Sequence, residues 1–347
     1  MVRERELKLR AGPAKPEGDI SRRTSLAWLG ALGAPAVLQP QAAWSQVQAQ
    51  AQVFPSEPLT LVVPFGGGSP PDVFSRTFGD KLSKRVGQPV IVELRPGAST
   101  TIGTAYAARA KPNGYTLLYA TNSSLTAAPG LFKKLQYDPA RDFSAITVML
   151  ESYFCILVRA EDAQLSLEAL AQRIRKNPAG NAMGGGSTTA EVANKLFQNA
   201  ARLDHAYARY NSNQLYTDLA GGSLNAVWSP LSTAINMVKQ NKMHIVAITG
   251  PRRLPQLPQT PTLAETYPGV VVDSWSGWFV PAATPRPLVA LLHQHVTEVL
   301  KDPDIVERGK QDGNQPLSLS PEQSDAYVMK DFPRWRTLLQ SAGIEPV

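Results

Sequence analysis

The chain has 347 residues and a formal net charge of +7, with 43% hydrophobic and 18% charged residues. This composition is typical of an ordered globular protein and excludes an intrinsically disordered one. The length exceeds what one hydrophobic core usually supports and therefore predicts two domains.

Part of the positive charge lies in residues 1–51, which hold seven Lys/Arg and four Asp/Glu. The remainder has 28 basic and 24 acidic residues, and no cluster in which cations alternate with aromatic residues. Nucleic acid is therefore excluded as an expected partner. The single cysteine, Cys155, lies in an apolar run, which predicts a buried thiol without an intramolecular disulfide or a Cys-based metal site.

The first 51 residues have the pattern of a cleaved export signal. Arg22 and Arg23 precede an apolar stretch at 25–38, and an A-x-A site follows at 49–51. The arginine pair favours the twin-arginine route. The general secretory route stays open, because Ser25 stands where the twin-arginine pattern usually has a bulky apolar residue. No other apolar run reaches membrane-spanning length, so we expect a periplasmic protein.

After the signal, short apolar runs alternate with amphipathic segments in chain order. Strands are predicted at 59–63, 90–93, 115–120, 146–148, 154–158, 182–184, 225–228, 244–249, 270–275 and 278–281. Helices are predicted at 72–86, 101–110, 166–176, 188–200, 214–220, 233–240, 287–301, 303–311 and 321–340. This alternation predicts an α/β fold with mainly parallel sheets and helices on both faces.

Two glycine-rich turns, one in each half, connect a predicted strand to a predicted helix. They are Gly66-Gly67-Gly68-Ser69 and Gly184-Gly185-Gly186-Ser187. Such a turn can direct backbone N–H groups and a positive helix N-terminus at an anion. The glycines could also serve chain reversal alone, and both interpretations remain open from the residues themselves. The pair suggests a ligand held between two lobes.

Several spaced motifs resemble those of the periplasmic solute-binding receptors of tripartite tricarboxylate transporters, the Bug family. The resemblance spans nearly all of the chain after the signal. The motifs are F-P-S-E-P-L-T-L-V-V-P-F-G-G-G at 54–68, R-P-G-A at 95–98, I-G-T at 102–104, P-N-G-Y-T-L-L at 112–118, Y-D-P-A-R-D-F at 137–143, L-P-Q-T-P-T-L-A-E at 257–265 and A-T-P-R-P-L-V at 283–289.

This resemblance implies a type II periplasmic-binding-protein fold with two α/β lobes joined by a two-segment hinge. Lobe 1 would comprise residues 53–151 and 274–347, and lobe 2 residues 152–273. The hinge segments would lie near 150–152 and 273–276.

The resemblance also implies a ligand site in the cleft between the lobes. Its expected residues are Phe65, Gly67, Gly68, Ser69, Asp72, Thr101, Thr121, Ser123, Ser187, Thr188, Thr189 and Ser229. Asp72 and Ser187 could equally cap their helices. Pro70 and Pro71 lack the N–H groups of the usual family loop, Ser229 replaces the usual Asp, and Glu191 stands where His is frequent.

The expected function is capture of a small carboxylate for delivery to a membrane permease of the tripartite type. Two alternatives remain open: a ligand sensor that contacts a receptor kinase, and, more remotely, a hydrolase on the same scaffold. We expect no enzymatic activity, cofactor or metal, because no nucleophile–base pair is recognisable and His293 and His295 point to different faces of one helix. The protein is expected to be a monomer.

Overall fold

The computed structural model describes residues 54–210 and 212–347. The predicted export signal and Asn211 lie outside these residues. Within this part of the chain, no helix combines the length and the hydrophobicity that crossing a membrane requires.

The described residues form ten strands and eleven α-helices in alternating order. The strands are β1 Leu59–Val63, β2 Val90–Leu94, β3 Thr116–Thr121, β4 Phe143–Arg159, β5 Ala182–Gly185, β6 Ala206–Arg209, β7 Ala226–Pro230, β8 Met243–Ile248, β9 Asp273–Pro281 and β10 Gln315–Pro316. The helices are α1 Pro70–Val86, α2 Thr101–Ala108, α3 Ala128–Leu131, α4 Leu167–Lys176, α5 Thr188–Ala201, α6 Gln214–Ala220, α7 Leu231–Lys239, α8 Leu263–Thr266, α9 Arg286–Leu300, α10 Pro303–Gln311 and α11 Pro321–Ser341.

Strand β4 joins the two halves of one mixed sheet. The strand order is β2-β1-β3-β9-β4-β7-β5-β6, and β8 and β10 also pair with β4. The outer pairs are parallel, as predicted: β1 lies beside β2 and β3, and β5 lies beside β6 and β7. Strands β7, β8 and β9 run antiparallel to β4. We call the β1–β3 side the first half and the β5–β8 side the second half.

Strands β4 and β9 are longer than the sequence predicts. The predicted strands at 146–148 and 154–158 are parts of one 17-residue strand, β4. Likewise, those at 270–275 and 278–281 merge into β9, which begins at Asp273. Polar residues such as Glu151 and Ser152 interrupt the apolar pattern but stay in the ladder, because they pair with β9. The predicted hinge segments are therefore neighbours in one ladder, and their hinge role stays a prediction.

Each half packs its own aromatic core. In the first half the ring of Phe78 lies 5.1 Å from that of Trp278, and in the second half Phe197 lies 6.0 Å from Trp228. Helix α11 contributes to both halves, because its Trp335 is buried in the cluster that contains Phe197, whereas its Val328 packs with first-half residues.

A serine is the N-cap residue of four of the long helices. Ser69, Ser166, Ser187 and Ser320 each accept a hydrogen bond from an amide in the first turn of the following helix. Helix α1 starts at Pro70, two residues before the predicted start, because the first amides of a helix have no intrahelical acceptor and proline loses nothing there. The sequence did not predict β6, β10, α3 and α8, which are all four residues or shorter.

Candidate functional site

Both glycine-rich turns lie at the carboxyl ends of parallel strands. The first connects β1 to α1, and the second connects β5 to α5. In α/β sheets ligands bind at this edge, where loops and helix N-termini converge. The topology thus gives both predicted loops the position that anion binding requires.

In the first turn, the carboxylate of Asp72 accepts a hydrogen bond from an amide that could otherwise bind an anion. The Gly68 amide donates to Asp72 Oδ2 at 2.8 Å, and Arg76 Nε donates to Oδ1 at 2.7 Å. Asp72 is only 5% exposed. The hydroxyl of Ser69 donates to the Gly66 carbonyl at 2.7 Å. Ser69 therefore caps α1, and the Asp72 carboxylate occupies the Gly68 amide just before the helix.

The remaining donors of the first turn are the amides of Gly66 and Gly67. Within the described residues, neither amide has a hydrogen-bond acceptor, and both glycines are exposed. Phe65 is half-buried and packs edge-on against Tyr119 at a ring separation of 6.1 Å. Phe65 thus anchors the start of the turn to the first-half core.

In the second turn, Ser187 caps α5 by accepting a hydrogen bond from the Ala190 amide at 3.2 Å. Thr188 and Thr189 follow in the first turn of the helix and are each 2% exposed. Thr189 Oγ1 accepts a hydrogen bond from Asn122 Nδ2 at 3.2 Å. The second turn therefore touches the first half of the molecule.

The loop after β3 supplies this contact. Thr121 and Ser123 are both buried, and Asn122 between them is fully buried. Asn122 Oδ1 also accepts a hydrogen bond from Ser274 Oγ at 2.5 Å. One side chain thus connects the β3 loop, α5 and the start of β9.

The loop before α2 carries strained backbone. Ala98, Ser99 and Thr100 have φ angles of 42°, 50° and 80°, a region that residues with a Cβ rarely occupy. Thr101 Oγ1 donates to the Ala98 carbonyl at 2.8 Å. Three consecutive non-glycine residues with positive φ angles raise the free energy of the folded state, and contacts with the surrounding residues have to offset this strain. Strained backbone of this kind is frequent at functional sites.

Arg209 from the second half holds this strained loop. Its Nη2 donates to Ser99 Oγ at 2.8 Å, and its Nη1 pairs with Glu191 Oε2 at 2.9 Å. Glu191, which the sequence placed near the pocket, is therefore neutralised by a cation that the sequence did not single out. Arg209 is half exposed (49% of its side chain), so part of the guanidinium stays accessible.

Ser229 differs from the other predicted residues because its hydroxyl is engaged inside the second half. It is fully buried, and a 3.0 Å hydrogen bond joins its Oγ to the hydroxyl of Tyr216. Burial raises the pKa of Tyr216 and that of the Cys155 thiol, whose Sγ lies 3.6 Å from the Ser229 carbonyl. Both groups are neutral, and the predicted buried state of Cys155 is confirmed.

Two buried hydroxyls beside the Arg209 contact lack a partner. Thr100 Oγ1 and the Tyr207 hydroxyl have no hydrogen-bond partner among the described residues. Burial raises the pKa of Tyr207, so its hydroxyl keeps its proton and can donate. Unsatisfied buried polar groups are rare and costly. A polar ligand or water would satisfy these two.

The structure therefore brings one part of the predicted site together and leaves the other part apart. Thr121, Ser123, Ser187, Thr188 and Thr189 lie around the Asn122 contact. No hydrogen bond or ion pair between described residues joins the first glycine turn to the second. Asn122 lies between the predicted residues Thr121 and Ser123, whereas the sequence did not indicate Tyr207 and Arg209. These two lie on β6, whose four residues have too little apolar pattern to predict a strand, so the sequence does not place them at a strand end, where ligand sites form.

Among residues 54–210 and 212–347, no group of three His, Cys, Asp or Glu side chains is arranged to hold a metal ion. The chemistry that the described residues offer at this edge is hydrogen-bond donation from amides, hydroxyls and one guanidinium. These groups bind anions and polar oxygen atoms.

Comparison with known proteins identifies one family. The family described as the tripartite tricarboxylate transporter family receptor matches residues 74–344. A UPF0065 protein of Bordetella bronchiseptica is 32% identical over 299 residues, which are 86% of this chain and 89% of that protein.

Solved structures of similar proteins agree with the fold. The periplasmic binding protein BugD has a TM-score of 0.78 and 29% identity, over 85% of this chain and all of that one. Rpa4515 of R. palustris, solved with adipate, has a TM-score of 0.80 and 26% identity, over 85% and 100% of the two chains. The predicted type II periplasmic-binding-protein fold is confirmed by these similarities.

Proposed function

The chain belongs to the tripartite tricarboxylate transporter receptor family, as its resemblance to the Bug family predicted, and we propose that it captures a small organic carboxylate between its two halves. The proposal extends to this chain the ligand class represented by adipate in Rpa4515.

The observation that carries the proposal is the hydrogen bond between Asn122 and Thr189, at 3.2 Å. It joins two predicted ligand loops that lie 67 positions apart in the sequence and belong to opposite halves. A ligand bound beside one loop would therefore meet the other, which supports capture between two lobes.

The donors suggest how a carboxylate would be held. In the first half these are the amides of Gly66 and Gly67; near the second half they are the Tyr207 hydroxyl and the exposed part of Arg209. Asp72 and the two prolines reduce the positive character at the start of α1, so the second half contributes more to charge stabilisation. Hydrogen bonds to charged groups are each worth about 1.5–3 kcal/mol.

Closure of the two halves would follow because the ligand has different affinities for the open and the closed forms. A ligand that contacts both halves binds the closed arrangement better than the open one and shifts the equilibrium towards it. The moving units would be the lobes predicted above, residues 53–151 with 274–347 and residues 152–273. The closed form would act in the periplasm as a monomer after signal cleavage and deliver its ligand to a permease of the tripartite type. The proposal includes no catalytic step.

A matched pair of helix-capping variants tests the site. Ser187→Ala and Ser166→Ala each remove a serine cap, and each should destabilise the protein by about 1 kcal/mol. Only Ser187 lies at the cleft edge. For the chain without residues 1–51, we expect adipate and other C4–C6 dicarboxylates to raise the melting temperature. This rise should shrink in Ser187→Ala and persist in Ser166→Ala.

Equal rises in the two variants would reject the assignment of the second turn to the site. If none of these carboxylates raised the melting temperature of the unmodified chain, the proposed ligand class itself would be wrong.

A further inference from the structure

A cavity lies on the first half. Its volume is about 860 Å³, and it is lined by Ala98, one face of α2 that includes Thr101, the turn 110–116 and the segment 132–136. We call it the α2 groove. Its volume falls within the roughly 300–1,000 Å³ typical of small-molecule sites.

The groove has an apolar floor on the outer face of α2. The inner face, with Gly103, Thr104 and Ala107, is buried against the sheet. The outer face presents Ile102, which is 53% exposed, and Tyr106, which is 41% exposed. A helix of this kind normally turns polar side chains to water. Here the solvent face is apolar instead, and Phe132 and Leu135 add to the lining.

The rim of the groove is cationic. Arg109, Lys111 and Lys134 line it, and no acidic residue does. None of the three forms an ion pair with another described residue. Arg109 Nη2 donates to Gln136 Oε1 at 2.6 Å, which holds the guanidinium across the groove. An apolar floor with an unneutralised cationic rim is complementary to an anion with an apolar body.

We propose that the α2 groove is a second ligand site, which binds an amphiphilic organic anion such as a medium-chain or aromatic carboxylate. The short length of α2 favours this occupant over an acidic protein. Helix α2 has eight residues and is about 12 Å long, which is short for an interface of the roughly 1,000 Å² that stable protein partners bury.

Calorimetric titration of the chain without residues 1–51 tests the proposal, with octanoate as the probe and octanol as its uncharged counterpart. Octanoate should bind saturably and octanol more weakly. Ile102→Glu should abolish octanoate binding, because it places a like charge on the apolar floor. The double variant Lys111→Gln with Lys134→Gln should weaken it about tenfold. All these side chains are exposed or lie at the rim, so the variants should fold normally. An unchanged circular dichroism spectrum checks this.

Controls separate this site from the cleft. Ser187→Ala should leave octanoate binding unchanged, and the groove variants should leave the adipate-induced rise in melting temperature unchanged. Octanoate binding that is insensitive to Ile102→Glu and to the lysine variants would overturn the proposal. Equal binding of octanol would also overturn it. So would a result in which the protein sediments with anionic vesicles through these residues but does not bind free octanoate.

Discussion

At the scale of single residues, the carboxyl group of Glu151 occupies the place where β4 and β9 cross between the halves. Glu151 lies opposite Trp275, and Asp273 lies opposite Tyr153 further along the same ladder. Arg334 pairs with both Asp273 and Asp331. Burial, and then the hydrogen bond and negative charge of Asp273, raise the pKa of Glu151 to about 7. Glu151 therefore keeps its proton to a higher pH than an exposed glutamate does.

We expect Glu151 to make the protein less stable as pH rises from about 4.5 to 7. Its pKa in the folded state lies above the unfolded value, so the folded state binds more protons in this window. Stability then falls with increasing pH. In Glu151→Gln this fall should be smaller, as measured by melting temperatures between about pH 4.5 and 8.

The control is Glu57→Gln, which changes an exposed carboxylate outside the ladder. His205 acts in the opposite direction, because burial lowers its pKa to about 4 and stability is lost as pH falls below 6.5. The prediction therefore concerns the difference in the pH dependence of the melting temperature between the variant and the unmodified chain. Identical pH profiles of Glu151→Gln and Glu57→Gln would contradict it.

At the scale of elements, the close approach of β4 and β9 depends on Gly277. A Cβ at this position would lie 2.5 Å from the Thr147 carbonyl oxygen and 3.0 Å from the Phe279 ring. Gly277 is buried and opposite Val148 in the ladder. The glycine is needed here for contact between two backbones, not for an unusual φ angle.

Gly277→Ala should therefore destabilise the protein by about 1–3 kcal/mol, the usual cost of overpacking. Gly309→Ala is the matched control, because a Cβ there meets no atom within 4 Å and the residue lies inside α10. It should stabilise the protein by about 0.5–1 kcal/mol. Urea unfolding measures both, and a shift of the same sign in the two variants would refute the packing explanation.

At the scale of the whole molecule, the two halves touch through few polar contacts near the cleft edge. Arg209 bonds to Ser99 across 110 sequence positions, and Asn122 bonds to Thr189. Helix α11 also bridges the halves, and Asn199 Nδ2 in α5 donates to the Ser341 carbonyl at 2.9 Å. In the closure proposed above, the equilibrium between open and closed forms would depend on these contacts, since each would favour only the closed arrangement.

Arg209→Gln should open the ligand-free protein and weaken ligand binding a few-fold, because a smaller closed population lowers the apparent affinity. Small-angle X-ray scattering should show a larger radius of gyration. The matched control is Arg253→Gln, which breaks a similarly exposed pair with Glu265 inside the second half. If both variants scattered like the unmodified chain, the Arg209 contact would have no part in closure.

The family, the fold class, most helices and strands, and the two glycine turns could be predicted from the amino-acid sequence alone. These follow from motif order and from the alternation of apolar residues, which are properties of neighbouring residues. The four short elements escaped prediction, because a strand of four residues such as β6 has too little pattern of its own.

Which hydrogen-bonding groups of the candidate site are free depends on contacts that form only in the folded protein. The Gly68 amide is taken by Asp72 and the Ser229 hydroxyl by Tyr216, while Asn122 and Arg209 enter the site through partners 67 and 110 positions away. The pKa of Glu151 likewise depends on Asp273 in another strand. Hydrogen bonds and charges act over a few ångströms in space, and the separation of residues along the chain does not specify those distances.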